Sequence, residues 1–225
     1  MKAKTKKIIV FGTSDFANLV SYYLKNDSNY EIAAYTVDAK FNKEKIFLGM
    51  PVINFEEIQE EYPPEEYGMF IAIGYQKLNK TRENKFIAAK AKGYKLISYV
   101  SSKNIVWHDF ETGENCFIME GNIIQFSVKI KDNVILGIGN RIGHNVTIEA
   151  NCFITSGVMI GGYCKIKKNT FIGLNSSIRD KIIIEENNIL GAGCIVLKKT
   201  EKNSSYLTSS TPKTSADYRF IMGLI

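Results

Sequence analysis

An aliphatic side chain stands at every sixth position over most of the second half of the chain. The series runs Ile118, Ile124, Ile130, Leu136, Ile142, Ile148, Ile154, Ile160, Ile166, Ile172, Ile178, Ile184, Leu190 and Val196. Neither an α-helix nor an ordinary strand has period six. A chain with this period winds into a parallel β-helix with three flat faces. Each six-residue unit makes one face, and eighteen residues make one coil. Residues eighteen apart then stack, and the aliphatics form a continuous inward ladder. The register runs unbroken for a little over four coils and leaves no room for a long inserted loop.

The position two before each aliphatic is mostly small or β-branched, and all four cysteines fall in this one phase: Cys116, Cys152, Cys164 and Cys194. They read as half-buried fillers at a tight corner rather than as ligands or nucleophiles. None is in C-x-x-C spacing, so neither a disulfide framework nor a zinc site is expected. Glycine often follows the aliphatic, as at Gly137, Gly143, Gly161, Gly173 and Gly191. There a sharp bend would want a residue without a Cβ.

The first hundred residues obey other rules. Ile8–Phe11 reads as a buried strand, followed by a turn and a helix through about Leu24. Residues 31–37 read as a second strand ending at Asp38, and Gly49-Met50-Pro51-Val52 as a turn. A short helix over 55–61, a strand over 69–73, a helix over 79–92 and a fourth strand over 94–99 follow. This alternation predicts a small parallel sheet with helices on both faces. The junction falls near Ser101–Trp107. Trp107 is expected to plug the open end of the β-helix, and His108 to be structural.

The chain has 225 residues, 45% apolar and 23% charged, with a net charge of +6. Lysines cluster at Lys2, Lys4, Lys6 and Lys7, and again at Lys198, Lys199 and Lys202. Both runs read as solvated ends; the second reads alternatively as a phosphate attractor. No basic stripe interleaves with aromatics, so no nucleic acid is expected. No apolar run approaches a membrane span or a signal-peptide core, so a cytoplasmic protein without membrane attachment is expected.

Both halves together resemble one family, the sugar acyltransferases that include sialic-acid O-acetyltransferases and N-acetyltransferases of nucleotide-linked 4-amino sugars. The segment from Ile8 through Gly12-Thr13-Ser14-Asp15-Phe16-Ala17 resembles its strand and glycine turn. Val37-Asp38, Gly49-Met50-Pro51-Val52 and Ile71-Ala72-Ile73-Gly74 are similar to its next elements. Ile142-Gly143-His144-Asn145 resembles its catalytic step, and Gly191-Ala192-Gly193 its coenzyme-proximal rung. The resemblance implies a Rossmann-like nucleotide-sugar domain over residues 1–103. A left-handed β-helix over 104–225 would bind acetyl-CoA. It also implies a homotrimer with sites between subunits and a role in surface-glycan biosynthesis.

His144 is the candidate base, because imidazole titrates near neutrality and can take the proton from an attacking amine. It reads alternatively as a solvent-facing corner histidine. Asn145 stands where the family often has an acid, and would orient the ring without adding charge. Phe153 stands nine positions on, where many members have a second histidine facing the acetyl donor. Gly162, eighteen beyond His144 and preceded by Gly161, is expected one coil away, offering an N–H to the thioester oxygen. It reads equally as a corner glycine. The resemblance places Gly173, Gly191, Ala192 and Gly193 along an acetyl-CoA groove, with Lys198 near a phosphate. Gly12, Thr13, Ser14 and Asp15 form a strand–turn–helix suited to a phosphate, Asp38 suits a ribose hydroxyl, and Gly74 ends the third strand. Lys77, Asn79 and Arg82 read either as diphosphate contacts or as helix surface.

Transfer to an amino group of a 4-amino-4,6-dideoxy sugar is the leading expectation, with O-acetylation of a sugar next. A non-enzymatic β-helix scaffold is the reading from another class. A zinc hydratase on the same helix needs three histidines, and the chain has two. The turn at Gly12 is a poor dinucleotide fingerprint, so a nicotinamide enzyme is disfavoured.

Overall fold

The computed structural model describes residues 6–213. Lys2 and Lys4, and the apolar segment 218–225 that reads either as a short helix or as a tail packing on a neighbour, lie outside the described residues. The amino-terminal domain contains β1 (Lys6–Phe11), α1 (Asp15–Asn26), β2 (Tyr30–Val37), β3 (Ile46–Phe47), β4 (Met50–Asn54), α2 (Ile58–Glu61), β5 (Gly68–Ile71) and α3 (Lys80–Ala91). The sheet order is β3-β4-β2-β1-β5, parallel except for β3. Its strands alternate between two cores, as a period of two requires. Ile8, Val10 and Phe70 face α1 and the β-helix, while Ile9, Met69 and Ile71 face α2 and α3.

Two expected elements differ. Gly49–Val52 is not a turn: Met50–Asn54 is a strand, and the turn is Leu48-Gly49, both with positive φ. Positive φ at both central residues is the geometry that matches strand twist in a two-residue hairpin. The expected fourth strand reduces to one bridge between Met69 and Leu96. The chain there is already turning into the first coil, where Tyr99–Val100 pairs with Phe117–Ile118.

From Tyr99 onward the chain is a left-handed parallel β-helix of two-residue strands in three sheets of seven, six and five strands. Partners are eighteen residues apart, as in Ile124↔Ile142 and Ile142↔Ile160, until the last pair, Ile189↔Ser205. The register thus begins a coil earlier than the aliphatic ladder shows, with exposed Thr112 paired in register with Ile130. Ile118 to Val196 form one buried cluster. Burial of each such side chain contributes about 1.5–3 kcal/mol. All four cysteines are fully buried rather than half-buried, and each thiol donates to a main-chain carbonyl of the next coil, as Cys152 does to Lys167 at 3.1 Å.

The glycines after the aliphatics have a different cause from the bend expected of them. Gly143 and Gly173 do not have positive φ; the bend falls three residues before each aliphatic, at Gly121, Asn133, Asn145 and their equivalents. What excludes a side chain is the next coil. A Cβ on Gly143 would lie 2.6 Å from Gly162 N, and one on Gly173 2.5 Å from Ala192 N. Trp107 does not plug the helix end: it is 54% exposed, edge-on to Phe126. His108 beside it is also exposed.

The three edges of the prism matter below. The first edge joins the first sheet (Phe117–Ile118, Ile135–Leu136, Phe153–Ile154 and their stack) to the second (Ile123–Ile124, Arg141–Ile142, Met159–Ile160). The second edge joins the second sheet to the third (Lys129–Ile130, Thr147–Ile148, Lys165–Ile166). The third edge returns to the first sheet. The amino-terminal domain lies on the first sheet, with Phe16, Tyr23 and Phe70 packed on Phe117.

Candidate active site

His144 stands on the second edge, half-buried. Stacking brings its neighbours from one coil away. Its imidazole lies parallel to Phe126, centroids 5.2 Å apart, and edge-on to Tyr163 at 4.9 Å. Its main-chain N–H donates to Gln125 Oε1 at 2.9 Å, and its Nδ1 contacts the Asn145 carboxamide at 3.1 Å. A Cβ on Gly162 would come within 3.0 Å of Cε1 and Nε2. Gly162 N–H donates to no group among the described residues. Phe126, Gln125 and Tyr163 went unread in the sequence, although counting eighteen backward from His144 reaches Phe126.

The amino-terminal site forms where sheet order reverses, between the carboxyl ends of β1 and β5, the usual ligand crevice of such sheets. Gly12 has φ 124°, and a Cβ there would lie 2.8 Å from Ala72 O. Ser14 is the N-cap of α1 but makes no side-chain cap bond, with Thr13 before it and Asp15 in the first turn. This leaves helix N–H groups for an anion. Asp38 is engaged by Lys85, whose ammonium also lies over Phe11 and Phe55.

Arg82 and Asn79 are neither diphosphate contacts nor helix surface; both are fully buried. The Arg82 guanidinium donates to the carbonyls of Gly74 (2.6 Å), Asn133, Asn151 and Cys152 and to Asn79 Oδ1 (3.1 Å). It ties the loop after β5 to the third edge of the β-helix. Burial pulls its pKa down to about 10, so it remains charged at neutral pH. Lys77 is exposed, with positive φ.

Phe153 lies on the first sheet, not beside His144. It stacks on Phe171 at 5.8 Å, and Tyr75, directly after Gly74, packs on both. Gly173, Gly191, Ala192 and Gly193 lie on the first edge, just beyond Phe171, while Gly161, Gly162 and Lys198 lie on the second. Thr208 closes the late coil by donating to Ala192 O at 2.7 Å. Within one chain, therefore, the Gly74 loop is held at the third edge by Arg82 and on the first sheet by Tyr75, while His144 stands on the second edge. A concavity of about 850 Å³ opens at the opposite ends of the strands, beside Lys6 and Lys95, and contains none of these residues.

Residues 7–88 match the family model of the PglD N-terminal domain, and residues 127–162 that of the bacterial transferase hexapeptide (six repeats). One match falls in each domain. No curated protein matches it by sequence. Among solved structures it is similar to a variant of perosamine N-acetyltransferase from Caulobacter crescentus in complex with CoA and GDP-perosamine. The TM-score is 0.81 at 19% identity, over 91% of this chain and 95% of that one. It is also similar to the acetyltransferase domain of PglB from Neisseria gonorrhoeae FA1090 (TM-score 0.77, 20% identity, 90% and 97% covered). WeeI from Acinetobacter baumannii AYE gives 0.76 at 20% identity, with 90% and 97% covered. At these identities the likeness is one of fold. Among the described residues, no helix is long and apolar enough to cross a membrane, and no group of three or more His, Cys, Asp or Glu could hold a metal.

Proposed function

We propose that the protein is a cytoplasmic N-acetyltransferase that moves an acetyl group from acetyl-CoA onto the amine of a nucleotide-linked amino sugar for glycan biosynthesis. A 4-amino-4,6-dideoxy sugar is the expected acceptor. The observation that carries this reading is the pairing, 3.0 Å apart, of the His144 imidazole with the site of a missing Cβ at Gly162. The side-chain-free main chain of Gly162, whose N–H donates to no group among the described residues, thus lies against the candidate base. The solved relatives bound to CoA and GDP-perosamine support it.

The chemistry follows from that pairing. The amine lone pair attacks the thioester carbonyl, and the Gly162 N–H stabilises the developing oxyanion. Nε2 takes the amine proton in the Nδ1–H tautomer, which requires the Asn145 carboxamide, whose Nδ2 lies 3.1 Å from Nδ1, to turn its oxygen to the ring. Collapse breaks the C–S bond, and the proton passes to the departing thiolate. Gly12, Thr13, Ser14, Asp15, Asp38 and Gly74 hold the nucleotide-sugar; Gly161, Gly173, Gly191, Ala192, Gly193 and Lys198 hold the coenzyme, with Phe153 lining the approach.

The arrangement also supports a homotrimer. The first sheet is covered by the amino-terminal domain, and the third presents Glu111, Lys129 and Lys165. The second presents exposed Ile105, Ile123, Met159 and Ile195. An apolar flat face on a three-sided prism closes a ring, and ring closure brings His144 of one protomer to the first edge of the next. Sedimentation at the mass of a single chain, 25.4 kDa, would contradict it.

The test is thiol release from acetyl-CoA against UDP-, dTDP- and GDP-linked 4-amino sugars and their hydroxyl counterparts. Release with an amino sugar and a matching acetyl mass gain supports the reading. Release with hydroxyl sugars alone replaces it with O-acetylation. No release and no acetyl-CoA binding leaves the scaffold.

A further inference from the structure

The residue three before each inward aliphatic has positive φ throughout the β-helix, and the three edges meet this demand differently. The first edge uses Gly121, Gly139, Gly157, Asn175 and Gly193. The third uses asparagine at 115, 133, 151, 169 and 187. Glycine and asparagine enter this conformation at least cost. Only the second edge departs from them, with Ser127, Tyr163 and Lys181 beside Asn145. A tyrosine at φ 60° is a genuine outlier, and strain kept at an exposed position points to function rather than packing. Tyr163 is 54% exposed, and its ring meets the His144 imidazole edge-on.

We propose that Tyr163 and Lys181 contact the acyl donor. Tyr163 flanks the uncharged arm that carries the thioester to His144, and Lys181 receives a phosphate further along. The inference rests on the acetyltransferase reading and extends it to two residues outside the expected set. The order of groups along the edge carries the argument. Coils stack about 4.8 Å apart. Starting from His144, Tyr163 is one coil on, Lys181 about 10 Å on, and Lys198 and Lys199 about 14 Å on. Lys199 meets Glu185, and Asp180 sits between Gly162 and Lys198 in the adjoining column. A base, then an aromatic ring beside a side-chain-free glycine, then cations, matches a molecule with a thioester, an uncharged arm and distant phosphates.

Tyr163→Asn tests this, because asparagine suits the turn and the variant should fold at least as well as the parent. Expected are a melting temperature higher by about 2–4 °C, CoA binding weaker by about tenfold in calorimetry, and a raised KM for acetyl-CoA with the sugar KM unchanged. Tyr163→Phe should keep parental affinity. Lys181→Asn should weaken CoA binding and flatten its salt dependence. Unchanged CoA affinity in Tyr163→Asn, whatever its melting temperature, overturns the proposal, as does a change confined to the sugar KM. If the parent transfers no acetyl group yet binds CoA, and Tyr163→Asn loses that binding, the transfer reading fails while the donor contact stands.

Discussion

The imidazole of His144 lies parallel to the phenyl ring of Phe126, with planes 5° and centroids 5.2 Å apart, although eighteen residues separate them. Phe126 on one side and Tyr163 at the edge leave the ring little freedom. The structure therefore presents a ring held in place, as the proposed base requires, rather than a loosely held surface histidine. His144→Ala should lower turnover by roughly 10²–10⁴, the range for loss of a general base. Steady-state thiol release measures it, and a tenfold loss or less would remove His144 from that role.

Gly162 has no spare volume on the side of His144. Gly162→Ala would press a methyl group against Nε2, displacing the ring from the reacting space. A fall in kcat of about 10² is expected, the low end for losing a positioned general base. The fold should persist, so far-ultraviolet circular dichroism should be unchanged. Parental kcat in this variant would show that the space near Nε2 is not where acyl transfer occurs.

Arg82 is a buried cation held by carbonyls from both domains. Arg82→Ala would strand those carbonyls and open a void at the junction. A loss of about 3–5 kcal/mol is expected in urea unfolding, the cost of breaking a buried charged network. Arg82→Lys should recover little of it, since an ammonium cannot reproduce the fork that spans Gly74, Asn133 and Cys152. A near-parental midpoint in either variant would mean that the domains are joined mainly by the aromatic contacts around Phe117.

Asp27, at the end of α1, accepts hydrogen bonds from the Tyr99 hydroxyl, the Ser101 hydroxyl, and both the N–H and hydroxyl of Ser102. These donors, Ser102 first, hold its pKa well below the ordinary carboxylate value. A depressed folded-state pKa gives stability that is full above the unfolded value of about 3.9 and is lost as pH falls towards the folded one. Below about pH 4, then, the latch between α1 and the first coil should weaken. Asp27→Asn should be less stable at neutral pH and show a flatter dependence from pH 5 to pH 2. Parallel curves for parent and variant in pH-scanned denaturation would discount the latch.

The period-six ladder and the residues eighteen from His144 were legible because a solenoid converts sequence spacing directly into contact. Gly162 beside His144 followed from arithmetic alone. Counting eighteen backward reaches Phe126, and eighteen forward from Asn145 reaches Tyr163; the missing steps were to count from both residues in both directions and to ask which residue types suit positive φ. Arg82 was opaque for a different reason. On α3 it looks like surface, and only the docking of the amino-terminal domain on the first sheet buries it. Trp107 failed likewise, since whether an end residue folds inward depends on packing that a local pattern does not encode.

The sequence by itself determined the solenoid, its register, its inward core and most of the strands and helices before it. All of these depend on the periodic burial of apolar side chains by near neighbours along the chain. The tertiary structure decided which face of the prism the first domain covers, which edge His144 occupies, and which charged groups become junction rather than surface. Those follow from contacts between segments with no fixed spacing, such as Arg82 with Asn151 or Asp27 with Ser102, whose energies exist only once two separately folded surfaces meet.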